Sequence, residues 1–165
     1  MIHWIFDLDN TLYRFQNQKN PSMNNIIVDL KLAETIRFLP GNKLIFTNAN
    51  HIHSMKMCYG MKMLNCFNAI LNRDLLQGLK PDPRVYFKLI QWCRIGNNDK
   101  VIFFEDTIVN LLIAKKFGWI TVLISDEPVK KDFIDLCFPD TKSAIIFIIK
   151  NMLEKTPNKN KNKNK

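Results

Sequence analysis

The sequence predicts an α/β fold, a Rossmann-like three-layer sandwich with a mostly parallel, five-stranded sheet. Short, near-continuous apolar runs recur along the chain (WIF, KLIF, AIL, VIFF, WITVLI), as strands buried on both faces do. Segments with apolar residues at helical intervals lie between them, the order that a parallel sheet with crossover helices requires. Polar residues follow three of the runs directly: Asp7 and Asp9, Thr47 and Asn48, Glu105 and Asp106. Parallel sheets place their sites at such carboxyl ends.

Residues 2–8 read as the first strand. In residues 24–39, Ile27, Leu30, Ala33, Ile36 and Phe38 fall at helical intervals. Pro40-Gly41-Asn42 marks a turn, and residues 43–46 a second strand. Residues 50–64, rich in methionine, read as a helix packed into the core. Residues 69–71 form a third strand. Pro81 opens a helix to about Arg94, since proline is tolerated in a first helical turn. A fourth strand over 101–104, a helix over 107–117, a fifth strand over 119–124 and a final helix over about 141–154 complete the pattern. The run Ile145–Ile149 reads as buried.

With 165 residues, 47% of them hydrophobic, the chain can bury one sizeable core. Residues 1–154 are therefore expected to form one domain. The Asn/Lys tail over 155–165 has no apolar residue to bury and is expected to be disordered. It holds five of the lysines behind the net charge of +9. That tail could act as an electrostatic arm for nucleic acid, though it carries nothing that reads bases. Cys58, Cys66, Cys93 and Cys137 lack paired spacing and read as reduced thiols in a cytoplasmic, reducing compartment. No secretory signal is expected. The most apolar run, Ala144–Ile149, has six residues, too few to span a bilayer.

If the strands run parallel, Asp7, Asp9, Glu105 and Asp106 meet at one edge. Clustered carboxylates repel unless a cation lies among them, and hard oxygen ligands suit Mg²⁺. Lys80, in GLKPDP, can bring positive charge to the same edge. A divalent ion, a lysine, a threonine hydroxyl and a spare carboxyl make a site for a phosphoryl group. Each residue also has a plainer reading. Asp7 and Asp9 could cap the following turn, Lys80 could be solvated, and Glu105-Asp106 could complement a helix dipole. His51 and His53 read as exposed residues at a helix start.

At these residues the chain resembles the haloacid dehalogenase superfamily of phosphohydrolases. Asp7-Leu8-Asp9-Asn10-Thr11 matches that family's DxDxT motif, Thr47 its second motif, Lys80 its third and Glu105-Asp106 its fourth. The stretches FDLDNTLY, FTNA, KPDP and FFEDT look most like the pyrimidine 5′-nucleotidase-like branch. The resemblance implies that Asp7 is the nucleophile and Asp9 the general acid and base. It implies Mg²⁺ held by Asp7, the Asp9 carbonyl and Asp106, with Glu105 as a further ligand. Thr47 and Asn48 would hold phosphoryl oxygens beside Lys80. Thr11 would fix the loop through its hydroxyl, and Asn110 would brace the acidic loop.

Only 35 residues separate Thr11 from Thr47, room for one helix and a polar flap over 14–25. A minimal or absent cap is therefore expected. The expected activity is Mg²⁺-dependent hydrolysis of small phosphate monoesters, nucleoside monophosphates among them. Phosphatase action on protein or nucleic-acid ends is one alternative. A non-catalytic binding domain that works through its basic tail is another.

Overall fold

Side chains that alternate across the pleat of a central strand build both cores of the molecule. In the computed structural model, which describes residues 1–16 and 25–154, β1 (Ile2–Phe6) sends Trp4 and Phe6 to one face and Ile5 to the other. All three are fully buried. β2 (Asn42–Phe46) and β4 (Lys100–Glu105) flank β1. β3 (Ala69–Leu71) lies outside β2, and β5 (Ile120–Ile124) outside β4. The order is β3-β2-β1-β4-β5-β6 and every pairing is parallel.

Helices cover both faces. Leu32, Ala33 and Ile36 of α1 (Leu30–Arg37), Met57 and Cys58 of α2 (His51–Gly60), and Ala144, Ile145 and Ile148 of α6 (Thr141–Glu154) pack against Trp4, Phe6 and Phe104. Phe6 stacks on Phe104 with centroids 4.7 Å apart. On the other face, a short α3 (Arg73–Leu76), α4 (Pro83–Trp92) and α5 (Ile108–Lys116) bury Leu76, Tyr86, Leu89 and Leu111 against Ile5, Phe46 and Phe103. Between α1 and β2, Gly41 takes φ +85, and a Cβ there would lie 2.3 Å from the Ile2 carbonyl oxygen. Only glycine fits that turn without displacing the edge of β1.

The expected α/β sandwich is present, with differences of detail. The sheet has six strands, not five: β6 (Leu136–Phe138) pairs with β5. This strand is short and half-buried, sits at the sheet edge and runs into Pro139. It therefore has neither the length nor the alternation that marks a strand in sequence. α4 begins at Pro83, not Pro81. The proline at 83 pushes Asp82 out of helical geometry, and Asp82 instead caps the helix by accepting from the Arg84 N–H at 2.9 Å. α1 is shorter than expected. Asp29 caps it by accepting from the Leu32 N–H, and residues 25–27 pair antiparallel with 14–16. Within the expected flap, residues 17–24 lie outside the described residues, as does the Asn/Lys tail. Ile146 and Phe147 are 56% and 43% exposed, because the apolar run is helical and turns them away from the sheet. No described helix is long and apolar enough to cross a membrane.

Candidate active site

The order of strand addition reverses between β1 and β4, while all strands stay parallel: successive strands are added outward through β2 and β3 on one side, and through β5 and β6 on the other. Such a switch point opens a crevice at the carboxyl ends. Asp7 continues β1 with its N–H on the Phe104 carbonyl at 2.8 Å, and Glu105 is the last residue of β4. The two strands thereby deliver carboxylates side by side. A cavity of about 170 Å³ opens there, lined by Asp7, Asp9, Asn10, Thr47, Asn48, Lys80, Glu105, Asp106, Thr107 and Asn110. A larger apolar hollow of about 380 Å³ beneath α6, lined by Ile102, Ile120, Leu136 and Phe147 among others, holds no cluster of titratable groups.

Lys80 is the electrostatic centre. Its ammonium donates to Asp7 Oδ1 at 2.6 Å, Glu105 Oε2 at 2.7 Å and the Phe46 carbonyl at 2.8 Å. It lies 5.0 and 5.3 Å from the ring centroids of Phe46 and Phe103, whose faces favour a cation. Burial works against the charge on Lys80, but the Glu105 and Asp7 carboxylates outweigh it and hold the lysine above its usual range. Burial pushes Glu105 up to about 8 and raises Asp7 as well, against the pull of Lys80.

Ligand atoms of Asp7, Glu105 and Asp106 lie within 4.8 Å of one another. Three carboxyls face one ammonium, so the cluster carries surplus negative charge. This donor set fits a small hard divalent cation. Glu105 is already engaged: Oε2 takes Lys80 and the Asn110 amide (3.0 Å), and Oε1 takes the Thr107 N–H (3.1 Å). Its clearest role is to brace Lys80. Asp7 and Asp106 are the better placed to reach an ion. The buried Oδ1 of Asn110 has no hydrogen-bond partner among the described residues.

The expected phosphate-holding residues share this edge. Thr47 accepts the Ala49 N–H at 3.0 Å, which leaves its hydroxyl proton free. The Asn48 side chain is occupied with the Lys80 backbone, accepting its N–H at 2.7 Å and donating to its carbonyl at 3.0 Å. It splints the lysine loop, and Asn48 keeps its backbone N–H and the second N–H of its amide to offer an anion. Thr11 departs from expectation. Its buried hydroxyl has no partner among the described residues, and its carbonyl ties the loop instead, accepting from Thr141 Oγ1 at 2.7 Å.

Asp9 lines the cavity, but its carboxyl is not part of the cluster formed by Asp7, Glu105 and Asp106. Asn10 takes φ +60, a left-handed turn that asparagine tolerates, and the chain folds back so that Tyr13 donates its hydroxyl proton to Asp9 Oδ1. His53 Nε2 lies 2.8 Å from the same oxygen. Sequence reading missed both contacts. His53 does lie in the first turn of α2, as expected, yet it faces Asp9. Its position six residues after Thr47, at the same sheet edge, was the available signal.

The family model for haloacid dehalogenase-like hydrolases matches residues 40–124. A dehalogenase structure is 22% identical, with 74% of this chain and 57% of that chain covered and a TM-score of 0.64. A HAD phosphatase from Thermococcus onnurineus is 16% identical over 79% of this chain and 60% of its own, with a TM-score of 0.65. A haloacid dehalogenase-like family hydrolase from Streptococcus pneumoniae is 12% identical over 88% and 97%, with a TM-score of 0.64. At these identities the likeness shows the fold. The chain spans little more than half the length of the first two.

Proposed function

The chain belongs to the haloacid dehalogenase-like hydrolases, and from that premise we propose that it hydrolyses small phosphate monoesters through a phosphoryl-Asp7 intermediate with Mg²⁺ as cofactor. One observation carries this reading: three carboxyls converge within 4.8 Å beside a lysine bonded to Asp7. Asp7 and Asp106 would hold the ion, which when bound neutralises phosphoryl charge and orients the group for in-line attack. The free oxygen of Asp7 attacks phosphorus while the ester P–O bond breaks. Lys80 fixes the other Asp7 oxygen and offsets charge. Asp9 gives its proton to the leaving oxygen, then takes one from the water that attacks phosphorus. That second attack releases inorganic phosphate and restores the Asp7 carboxylate. The Thr47 hydroxyl and the Asn48 N–H receive the phosphoryl oxygens.

A cavity of about 170 Å³ has room for a phosphoryl group and a small ester, and a nucleoside monophosphate would leave its base and sugar outside it. Dehalogenation is the second reading, prompted by the dehalogenase neighbour. The cluster of Asp7, Glu105 and Asp106 disfavours it, because displacing a halide uses a single carboxylate nucleophile and gives a cation-binding set no part.

The test is turnover of p-nitrophenyl phosphate with Mg²⁺, with Asp7→Asn alongside, then of nucleoside monophosphates, phosphopeptides, 3′-phosphorylated oligonucleotides and a 2-haloacid. Phosphate release that Asp7→Asn abolishes supports the proposal. Halide release without phosphate release overturns it, and no turnover of any substrate favours a binding domain. Repeating the panel without residues 156–165 tests the tail: loss confined to oligonucleotides would mark nucleic acid as the substrate.

A further inference from the structure

Asp9 is about two-fifths exposed (43%), as is His53 (39%). A carboxyl so placed would swing among rotamers unless held, and small misplacement of a reacting group can lower a rate a hundredfold. Two side chains from separate elements hold it. Tyr13 reaches back through the Asn10 turn; it is only 5% exposed, and its ring meets Phe15 edge-on at 5.2 Å. His53 is anchored at its backbone, where its N–H donates to Asn50 Oδ1 at 2.8 Å. Both contacts fall on Oδ1 of Asp9, and the Tyr13 hydroxyl also lies 3.2 Å from His53 Nε2. Among the described residues Oδ2 takes no hydrogen bond.

We propose that Tyr13 and His53 form a clamp that fixes Asp9 for proton transfer, which makes both of them positioning residues of the reaction. The inference rests on the reading of Asp9 as general acid and base. A carboxylate accepts only, so Tyr13 donates its O–H and His53 its Nε2–H, both to Oδ1. Oδ2 stays free to meet the leaving oxygen and then the water. The clamp comes entirely from the sheet edge and the first turn of α2, so the acid is aligned by residues of the same domain.

Leaving-group dependence tests it. An alkyl ester such as β-glycerophosphate needs its leaving oxygen protonated, whereas p-nitrophenolate hardly does. With Mg²⁺ present, Tyr13→Phe and His53→Ala should each lower kcat/KM for β-glycerophosphate by about 10-fold or more, and the double variant should approach Asp9→Asn, about 10²- to 10⁴-fold down. On p-nitrophenyl phosphate the kcat/KM losses of Tyr13→Phe and His53→Ala should stay within about 3-fold, with melting temperatures unchanged. His53→Gln, which keeps an N–H donor, should recover most of the loss. Without added cation, ¹⁵N NMR should show a proton on Nε2 of His53, with a shift in Tyr13→Phe. Equal losses on both esters, no loss on either, or a proton on Nδ1 overturns the clamp and leaves the phosphatase reading standing. A wild-type protein inactive on both esters overturns the phosphatase reading, and the clamp with it.

Discussion

The two ends of the sheet are built on opposite electrostatic plans. At the amino edge, charges are matched. The Met1 ammonium pairs with Asp99, whose other oxygen accepts from the Gly96 N–H at 2.8 Å and faces His3 Nε2 at 3.2 Å. The amine, then the Gly96 N–H and His3, hold the Asp99 carboxyl well below the usual range. At the carboxyl edge, three carboxyls cluster beside one ammonium that bonds two of them, and Thr11 and Asn110 each bury a polar atom that has no partner among the described residues. One end closes the fold. The other crowds carboxyls whose repulsion a bound cation would relieve, a pattern expected where stability is traded for function.

The sharpest way to break this contrast is Asp7→Asn. Turnover should fall by about 10⁴-fold or more, while the melting temperature stays level or rises, since a surplus buried charge is gone. A clear drop in stability would show that Asp7 serves the fold. Lys80→Met should do the reverse and destabilise by about 3–5 kcal/mol in denaturant titration, because Asp7 and Glu105 would stay buried without their ammonium. Mg²⁺ should stabilise the wild type by about 2.7 kcal/mol at a hundred times its Kd; the gain in melting temperature should vanish in Asp106→Asn.

Opposite pH slopes should separate the two ends more gently. Glu105 binds its proton more tightly folded than unfolded, so without divalent ions its contribution to stability should decline as pH rises from about 4.5 to about 8. Asp99 is depressed, so its contribution is full above the ordinary carboxylate range, about 4, and is lost as pH falls through the lower folded value. Melting curves of Asp99→Asn and wild type should therefore differ at neutral pH and converge in acid, with turnover at saturating substrate unaffected. The smallest expected effect is Thr11→Val, which removes a hydroxyl that has no partner among the described residues and should stabilise by about 1 kcal/mol.

Much of this was legible in the chain. β1, β2, β4 and β5 announce themselves because strands buried on both faces must be apolar throughout, so a carboxylate that ends such a run stands out. Lys80 was legible by its place before Pro81. β6 was not, since three half-buried residues at an edge carry no period. The exposure of Ile146 and Phe147 escaped for a related reason: a helix must turn some of an unbroken apolar run toward water.

Residue types and their order determined the α/β class and set Asp7, Glu105 and Asp106 at one edge of the sheet, because burial patterns and strand ends are local properties, while Lys80 stood out by its place before Pro81. Only the tertiary structure decided that Asn48 grips the Lys80 backbone, that Glu105 braces the lysine, and that Asp9 turns to Tyr13 and His53. Those contacts depend on distances between groups up to 44 residues apart, which are set by how the sheet closes.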